Sequence, residues 1–315
     1  YFNMSMSNSH ARAVFDVADI IILEVNEKLP FVHGLENTIH ISEVDMVIEG
    51  EHEGLTEFPS IVAGPVEEQI AESIVDRMTN GACIQLGVGG MPDAIGKLIA
   101  ESELKDLGIH TELLVNAYLD MHKAGKITNL NKHDIMRGKS VFSIAHGTKE
   151  LFDWVSDNPS MCCAPINYVN DLSVIGEIDN FVSINSCIAV DLFGQISAES
   201  AGTRHISGTG GQLDFLTAGF KNPRAQSFIA LPSTYTDKKG NLHSNIKPTF
   251  TGGDIITDPR SQAYTMVTEY GIENLAGASV WERAEKLINL AHPDFREELI
   301  ESAKKVNVWR QSNKR

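Results

Sequence analysis

Glu112 and two glycine-rich segments are the residues of this chain whose types and spacing could do chemistry. The glutamate closes the tripeptide His110-Thr111-Glu112, directly after Leu107-Gly108-Ile109. Earlier stands Gly87-Val88-Gly89-Gly90-Met91-Pro92, and further on Ser207-Gly208-Thr209-Gly210-Gly211-Gln212-Leu213-Asp214-Phe215. A carboxylate beside backbone N–H groups that can hold an anion suits acyl transfer. The carboxylate attacks a carbonyl, and the amides stabilise the oxyanion that develops. Glycine suits such loops because no Cβ keeps the backbone away from its ligand.

Each feature has a plainer reading. Glu112 can be a nucleophile, a general base or a solvated loop acid. His110 can be a base or a satisfied structural histidine. The first glycine loop is either an anion-binding loop opening onto a helix N-terminus or an ordinary turn between strand and helix. It is not a dinucleotide fingerprint, because Pro92 stands where G-x-G-x-x-G needs its last glycine. The second cluster can form a nest of amides around a phosphate or oxyanion, or a flexible turn. Glu269, in Thr268-Glu269-Tyr270-Gly271, is a second acid at the end of an expected strand. No Ser/His/Asp order and no His/Cys/Asp metal geometry can be picked out, so no metal site is expected.

The elements that must position these residues read as alternating strands and helices. Helical spacing covers Ser9 to Asp19, and Ile20–Val25 reads as a buried parallel strand. The acidic, glycine-rich residues 49–60 read as a linker or a long surface loop. Pro65 opens a helix running to Asn80, with acids in its first turn and Gly81 after its end. Ala82–Leu86 is a strand, Pro92–Ala100 a helix, and a further strand lies near Ile109, with Glu112 at its carboxyl end. That is a βαβ unit. Strand-like runs recur at Ser140–Ala145, Asn180–Ile184, Gln226–Ala230 and Ala263–Thr268. Residues 189–197 form a hairpin turning at Phe193-Gly194, and a helix starts near Pro293.

The whole composition agrees with a large α/β protein. The chain has 315 residues, 42% hydrophobic and 22% charged, enough for more than one domain. A formal net charge of −16 argues against nucleic-acid and anionic-membrane surfaces. No run approaches the length of a membrane span. Cys83, Cys162, Cys163 and Cys187 lack metal spacing and read as buried thiols of a reducing cytoplasm. The chain opens at Tyr1-Phe2-Asn3, and an N-terminal part of the natural protein is expected to precede it.

Taken in order, six segments resemble one family. They are Gly87-Val-Gly-Gly-Met-Pro-Asp-Ala94, Leu107-Gly-Ile-His-Thr-Glu112, Val190-Asp-Leu-Phe-Gly-Gln195, Ser207 to Phe215, Val267-Thr-Glu-Tyr-Gly271 and Asn289-Leu-Ala-His-Pro-Asp-Phe295. The resemblance is to the acetyl-CoA hydrolase/transferase family, and within it to 4-hydroxybutyrate and butyryl-CoA:acetate CoA-transferases. It implies two related open α/β domains with the active site in the cleft between them, the first domain truncated here. Residues 1–50 would end the first domain, 51–64 would be the linker and 65–315 the second domain.

The resemblance also implies site residues. Glu112 would be the nucleophile that becomes a glutamyl-CoA thioester, with Glu269 and Asn185 as further active-site residues. Gly87, Val88, Gly89, Gly90 and Met91 would contact coenzyme A, and Gly210 and Gly211 would supply a second amide cluster. Leu113-Leu114-Val115-Asn116 departs from the more polar sequence of some members, which bears on the acyl pocket. Coenzyme A would be a substrate with no prosthetic group, exchanged among short-chain carboxylates such as acetate, butyrate and 4-hydroxybutyrate. The rival readings are an acyl-CoA hydrolase on the same scaffold and a non-catalytic CoA-binding module. A cytoplasmic homodimer, free of nucleic acid and membrane, is the expected setting.

Overall fold

The computed structural model describes residues 1–310, so the last five positions of the expected second domain lie outside the described residues. Its centre is an eight-stranded sheet. In chain order the strands are β1 (Cys83–Leu86), β2 (Gly108–Leu114), β3 (Ser140–Ala145), β4 (Met161–Cys163), β5 (Phe181–Ser186), β6 (Gln226–Ala230), β7 (Thr265–Thr268) and β8 (Gly271–Asn274). Across the sheet they run 4-3-2-1-5-6-7-8. All neighbours are parallel except β7 and β8, which form an antiparallel edge pair. The chain therefore leaves β1 in one direction to build β2 to β4, then returns to its other side with β5. That reversal between β1 and β5 is a topological switch point, where open α/β sheets open a crevice at the strands' carboxyl ends.

Helices cover both faces, which is why the central strands are largely buried, all four β1 residues completely so. One face carries α1 (Pro65–Val75), α2 (Gly90–Glu101), α3 (Asn116–Lys123) and α4 (Lys149–Val155), whose Ile70, Ile74, Ile95, Ile99, Tyr118 and Leu151 share a core with Ile84, Ile109 and Val182. The opposite face carries the short helices Ile166–Val169 and Leu172–Gly176 and α5 (Gln212–Ala218), packed through Val169, Ile175 and Phe215 on Cys83, Val141 and Phe181. Over β6 and β7 this layer continues as α6 (Val280–Asn289) and α7 (Pro293–Lys305). α6 starts in a capping box between Ser279 and Glu282, and α7 has Pro293 in its first turn. Among the described residues no helix is long and apolar enough to cross a membrane.

Several expected boundaries move. α1 ends at Val75 rather than Asn80, and the chain then turns through Gly81 (φ +78°) into β1. α2 begins two residues before Pro92, at Gly90. β2 extends to Leu114, so Glu112 lies in the carboxyl-terminal half of the strand, two residues before its end. The hairpin is as expected, with Val190 opposite Ile196 and Gly194 at φ +85°.

The larger corrections fall in residues 1–50. The helix expected from Ser9 to Asp19 shrinks to Ala11–Phe15, none of it buried, because its apolar stripe has no partner to pack against among the described residues. Ile22–Val25 is parallel to Met46–Glu49, as a parallel strand should be, but it is not buried. Ile22 is 55% exposed and Met46 54%, since this two-stranded sheet has no covering layer among the described residues. The rest of the segment docks on the outer edge of the main sheet. Ser7 bridges Ile144, Gly34 bridges Cys163, and Met6 and Val32 join the main core. Residues 51–64 have no helix or strand but are pinned: Phe58 N–H donates to the Gly147 carbonyl, and its own carbonyl accepts from the Asn116 side chain.

Candidate active site

Strand register builds the site. Ile84 lies opposite Ile109, and Leu86 opposite Ile184. Carrying both registers past the end of β1 sets Gly87 between Glu112 on β2 and Asn185 on β5. The fit there is tight: a Cβ on Gly87 would lie 3.0 Å from Asn185 Oδ1, so a side chain would have to push that amide aside. Because side chains alternate along a strand, His110 and Glu112 share the face covered by α5, while Thr111 and Leu113 face α2 and α3. Thus the switch point places a half-buried carboxylate level with the first glycine loop.

That carboxylate lines a cavity of about 310 Å³. Its walls come from Gln85–Val88, Glu112, Leu113, Asn185, Ser186, Ala198 and the segment Ser207–Gln212, with Phe215 at one side. Glu112 Oε2 accepts a hydrogen bond of 2.7 Å from Asn170 Nδ2. Gly211 packs against both partners, so close that a Cβ there would collide with Glu112 Oε2 and Asn170 Nδ2. Gly210 adopts φ +54°, a left-handed conformation that glycine takes without strain. Gln212, directly after Gly211, opens α5 and donates from Nε2 to Asp258 Oδ2 at 2.6 Å. Asp258 is buried, and burial pushes its carboxyl up to about 6.

Behind Glu112 the cavity floor is a closed polar network. Gln85 and Asn185 exchange amide hydrogen bonds of 3.0 and 2.9 Å. Ser183 donates to Gln85 Oε1 at 2.8 Å and accepts from Asn185 Nδ2 at 3.0 Å. All three side chains are buried, so each bond also satisfies a group that would otherwise be desolvated and unpaired.

His110 is a neighbour, not a member, of this cavity. It is fully buried, and its ring donates from Nε2 to the Val169 carbonyl at 2.8 Å. Burial, then the nearby Lys132 ammonium, lower its pKa to about 3, so it stays neutral. Lys132 is itself buried and donates to the carbonyls of Ile109 and Lys139 at 2.8 Å each.

The other expected site residues divide. Gly87, Val88, Asn185, Gly210 and Gly211 share the cavity wall with Glu112. Gly89 makes the turn into α2 at φ +111°, Gly90 is the helix's first residue, and Met91 is buried in the core. Glu269 follows β7, four strands from Glu112 in the sheet order, and lies outside this cavity's lining. Its carboxylate accepts from the Ser233 N–H at 2.9 Å and from Ser233 Oγ at 2.5 Å. Sequence reasoning missed Asn170, Gln85 and Ser183. Asn170 stands beside Asp171, the cap of the short Leu172–Gly176 helix, and so looks like a turn residue. Its tie to Glu112 spans 58 positions, which no local pattern carries.

Fold and cavity define an α/β enzyme with a strand-borne carboxylate set between two glycine-rich loops at a sheet's switch point. Residues 1–56 match the acetyl-CoA hydrolase/transferase N-terminal domain, and residues 147–303 match the C-terminal domain of the same family. Butyryl-CoA:acetate CoA-transferase of Anaerostipes caccae is 51% identical over 316 residues, covering 100% of this chain and 71% of that protein. The crystal structure of RipA from Yersinia pestis superimposes with a TM-score of 0.89 at 39% identity, covering 98% of this chain and 68% of that one. The structure of 4-hydroxybutyrate CoA-transferase from Porphyromonas gingivalis gives a TM-score of 0.81 at 36% identity, covering 96% and 71%. The chain belongs to the acetyl-CoA hydrolase/transferase family. Glu112 and the first glycine loop fall between the two matched segments, so their placement rests on the fold described above.

Proposed function

We propose that the protein transfers coenzyme A between short-chain carboxylic acids, with Glu112 as the nucleophile of a ping-pong reaction. The observation that carries this reading is the state of the Glu112 carboxylate. It lines the cavity, is held at one oxygen by Asn170, and takes part in none of the ion pairs among the described residues. An acid that is oriented but not neutralised keeps its electron pair for attack. The relatives named above as transferases support exchange between acids over hydrolysis.

In this reading Glu112 attacks the acyl-CoA carbonyl, and CoA leaves as thiolate. The thiolate attacks the resulting acyl-glutamyl anhydride at the glutamyl carbonyl, releasing the first acid and leaving glutamyl-CoA. A second carboxylate reverses both steps. Each addition develops an oxyanion; the Gly87 N–H is already given to the Ile184 carbonyl, so the backbone N–H groups that would serve it are those of Val88 and of Gly210–Gly211 on the cavity wall. Asn170 fixes the attacking oxygen, and Asn185 presents the polar floor on which the exchanging carboxylate rests.

Trapping tests the covalent step. The protein is incubated with butyryl-CoA, treated with hydroxylamine or borohydride, and digested for mass spectrometry. The Glu112 peptide is expected to carry the modification, and Glu112→Gln to abolish both the adduct and acetyl-CoA formation from added acetate. Turnover with an unmodified Glu112 peptide would overturn the mechanism. CoA release that adding acetate does not convert into acetyl-CoA would identify a hydrolase instead.

A further inference from the structure

Residues 199–211 leave the hairpin after Ser197 and Ala198 and return to Gln212 at the start of α5, and from Thr203 to Gly210 every residue is exposed. This excursion carries the glycine backbone that packs on Glu112, and two consecutive residues hold its ends. The Ala198 N–H donates to Thr257 Oγ1 at 2.9 Å, and Gln212 Nε2 donates to Asp258 Oδ2 at 2.6 Å. Ala198 and Gln212 both line the cavity, whereas Thr257 and Asp258 are buried behind it. The pair is itself fixed to the hairpin. The Thr257 N–H donates to the Ile196 carbonyl at 2.8 Å, and the Ile196 N–H to the Asp258 carbonyl at 3.1 Å. Asp258 is an expensive choice for such a place. Its side chain is fully buried, and Oδ1 has no hydrogen-bond partner among the described residues. Burial pushes the carboxyl up to about 6, against the pull of the Gln212 hydrogen bond. A buried acid with one oxygen unpaired costs the fold stability, so the bond it makes to the cavity wall calls for a functional account.

We propose that Asp258 is a positioning residue of the transfer reaction, which holds Gln212 and, through it, the Gly210–Gly211 backbone against Glu112. The proposal rests on Glu112 being the nucleophile. Gly211 is bonded directly to Gln212 and stands so near Glu112 Oε2 that no methyl group fits between them. A pair of glycines has no side chain by which to be anchored, so the residue that follows supplies the anchor. Its acceptor is a carboxyl group, and when that group is ionised the bond is roughly twice as strong as one between neutral partners. The exposed residues before the glycines bury little with which to hold this backbone in place. Oxyanion donors are effective because they are already aimed when charge develops. Loss of the anchor therefore lowers the rate of the chemical steps more than it weakens the binding of acyl-CoA.

A double-mutant cycle on kcat tests this, with butyryl-CoA and acetate as substrates. Gln212→Met keeps the length of the side chain and removes its donor; Asp258→Ser removes the charged acceptor. Each is expected to lower kcat about tenfold, as loss of a hydrogen bond to a charged group predicts, and to leave the KM for butyryl-CoA within about twofold. Because one residue acts through the other, the double variant should be no slower than either single variant. Asp258→Asn, which keeps an oxygen acceptor without the charge, should recover part of the loss and melt no lower than the parent, since it relieves a buried charge. Losses that multiply in the double variant overturn the proposal. So does an Asp258→Ser protein with the parent kcat, which would make Asp258 a residue of the fold alone. If thermal melting shows that Asp258→Ser does not fold, Asp258→Asn takes its place in the cycle. Hydroxylamine trapping of the parent separates the two readings. Absence of a Glu112 adduct there defeats the nucleophile assignment, whereas an adduct together with multiplying losses defeats only the role of Asp258.

Discussion

Glu112 depends on two neighbours that differ in how they fail. Asn170 holds its oxygen by a hydrogen bond to a charged acceptor, a kind worth about 1.5–3 kcal/mol. Asn170→Ala is therefore expected to lower kcat by about 10- to 100-fold in a steady-state transfer assay, with a smaller effect on the KM for acyl-CoA. Gly211→Ala acts by intrusion, since its methyl group would occupy the place of Glu112 Oε2. Its loss should reach at least the roughly 100-fold typical of a damaged oxyanion site; activity within tenfold of the parent would show that the backbone there can withdraw. Glu269→Gln should leave the Glu112 adduct detectable by mass, because its carboxylate is engaged by Ser233 and not by the cavity. At this scale the sequence made the glutamate and the glycines visible, because residue type alone limits what they can do. Asn170, Gln85 and Ser183 were invisible, since each acquires its meaning from a partner on another strand or helix.

β2 is the element on which the chemistry hangs, and its burial gives it a pH signature. His110 titrates near 6.5 in an unfolded chain but near 3 when folded. Between those values the unfolded state binds the extra proton, so stability is full above about pH 6.5 and declines as pH falls toward 3. Urea denaturation across this window should show a falling midpoint, and His110→Gln, which can still reach the Val169 carbonyl, should flatten that fall. An identical pH slope in the variant would assign the acid sensitivity to other groups. Elements buried on both faces were the legible ones. β3 and β6 have the limits their apolar, β-branched runs predict. The overlong helix at Ser9–Asp19 shows the converse: periodicity announces a face, but the face becomes a stable helix only where a partner covers it.

The sheet order sets the place of the candidate site, and a separate strand pair leaves an apolar patch exposed. Reversal between β1 and β5 leaves a crevice lined by the carboxyl ends of β1, β2 and β5 and walled on the other side by Ser207–Gln212. Outside the main sheet, the pair Ile22–Val25 and Met46–Glu49 presents apolar side chains and, among the described residues, unpaired strand edges. Ile20 is 69% exposed, and Ile22, Met46, Val47 and Ile48 are exposed around it. Self-association of the 315-residue chain should therefore run through this patch. Val47→Lys together with Ile22→Lys should slow its aggregation, measured by light scattering, while the main thermal transition moves by less than a few degrees. The alternation of strands and helices declared this architecture in outline. The exposure of one strand pair was not readable, because an apolar run specifies burial without saying which chain segment provides it.

The closed network of Gln85, Ser183 and Asn185 bears on how long a carboxylate stays. Both Asn185 amide hydrogens and its carbonyl oxygen are already engaged. A carboxylate that takes one of those hydrogens does so by displacing a bond of comparable strength, so the net gain is small. Residence times on this floor should be short. For an exchange reaction that is an advantage: each acid must vacate the same place before its successor arrives, and a floor that held the first one tightly would become the slow step of the cycle.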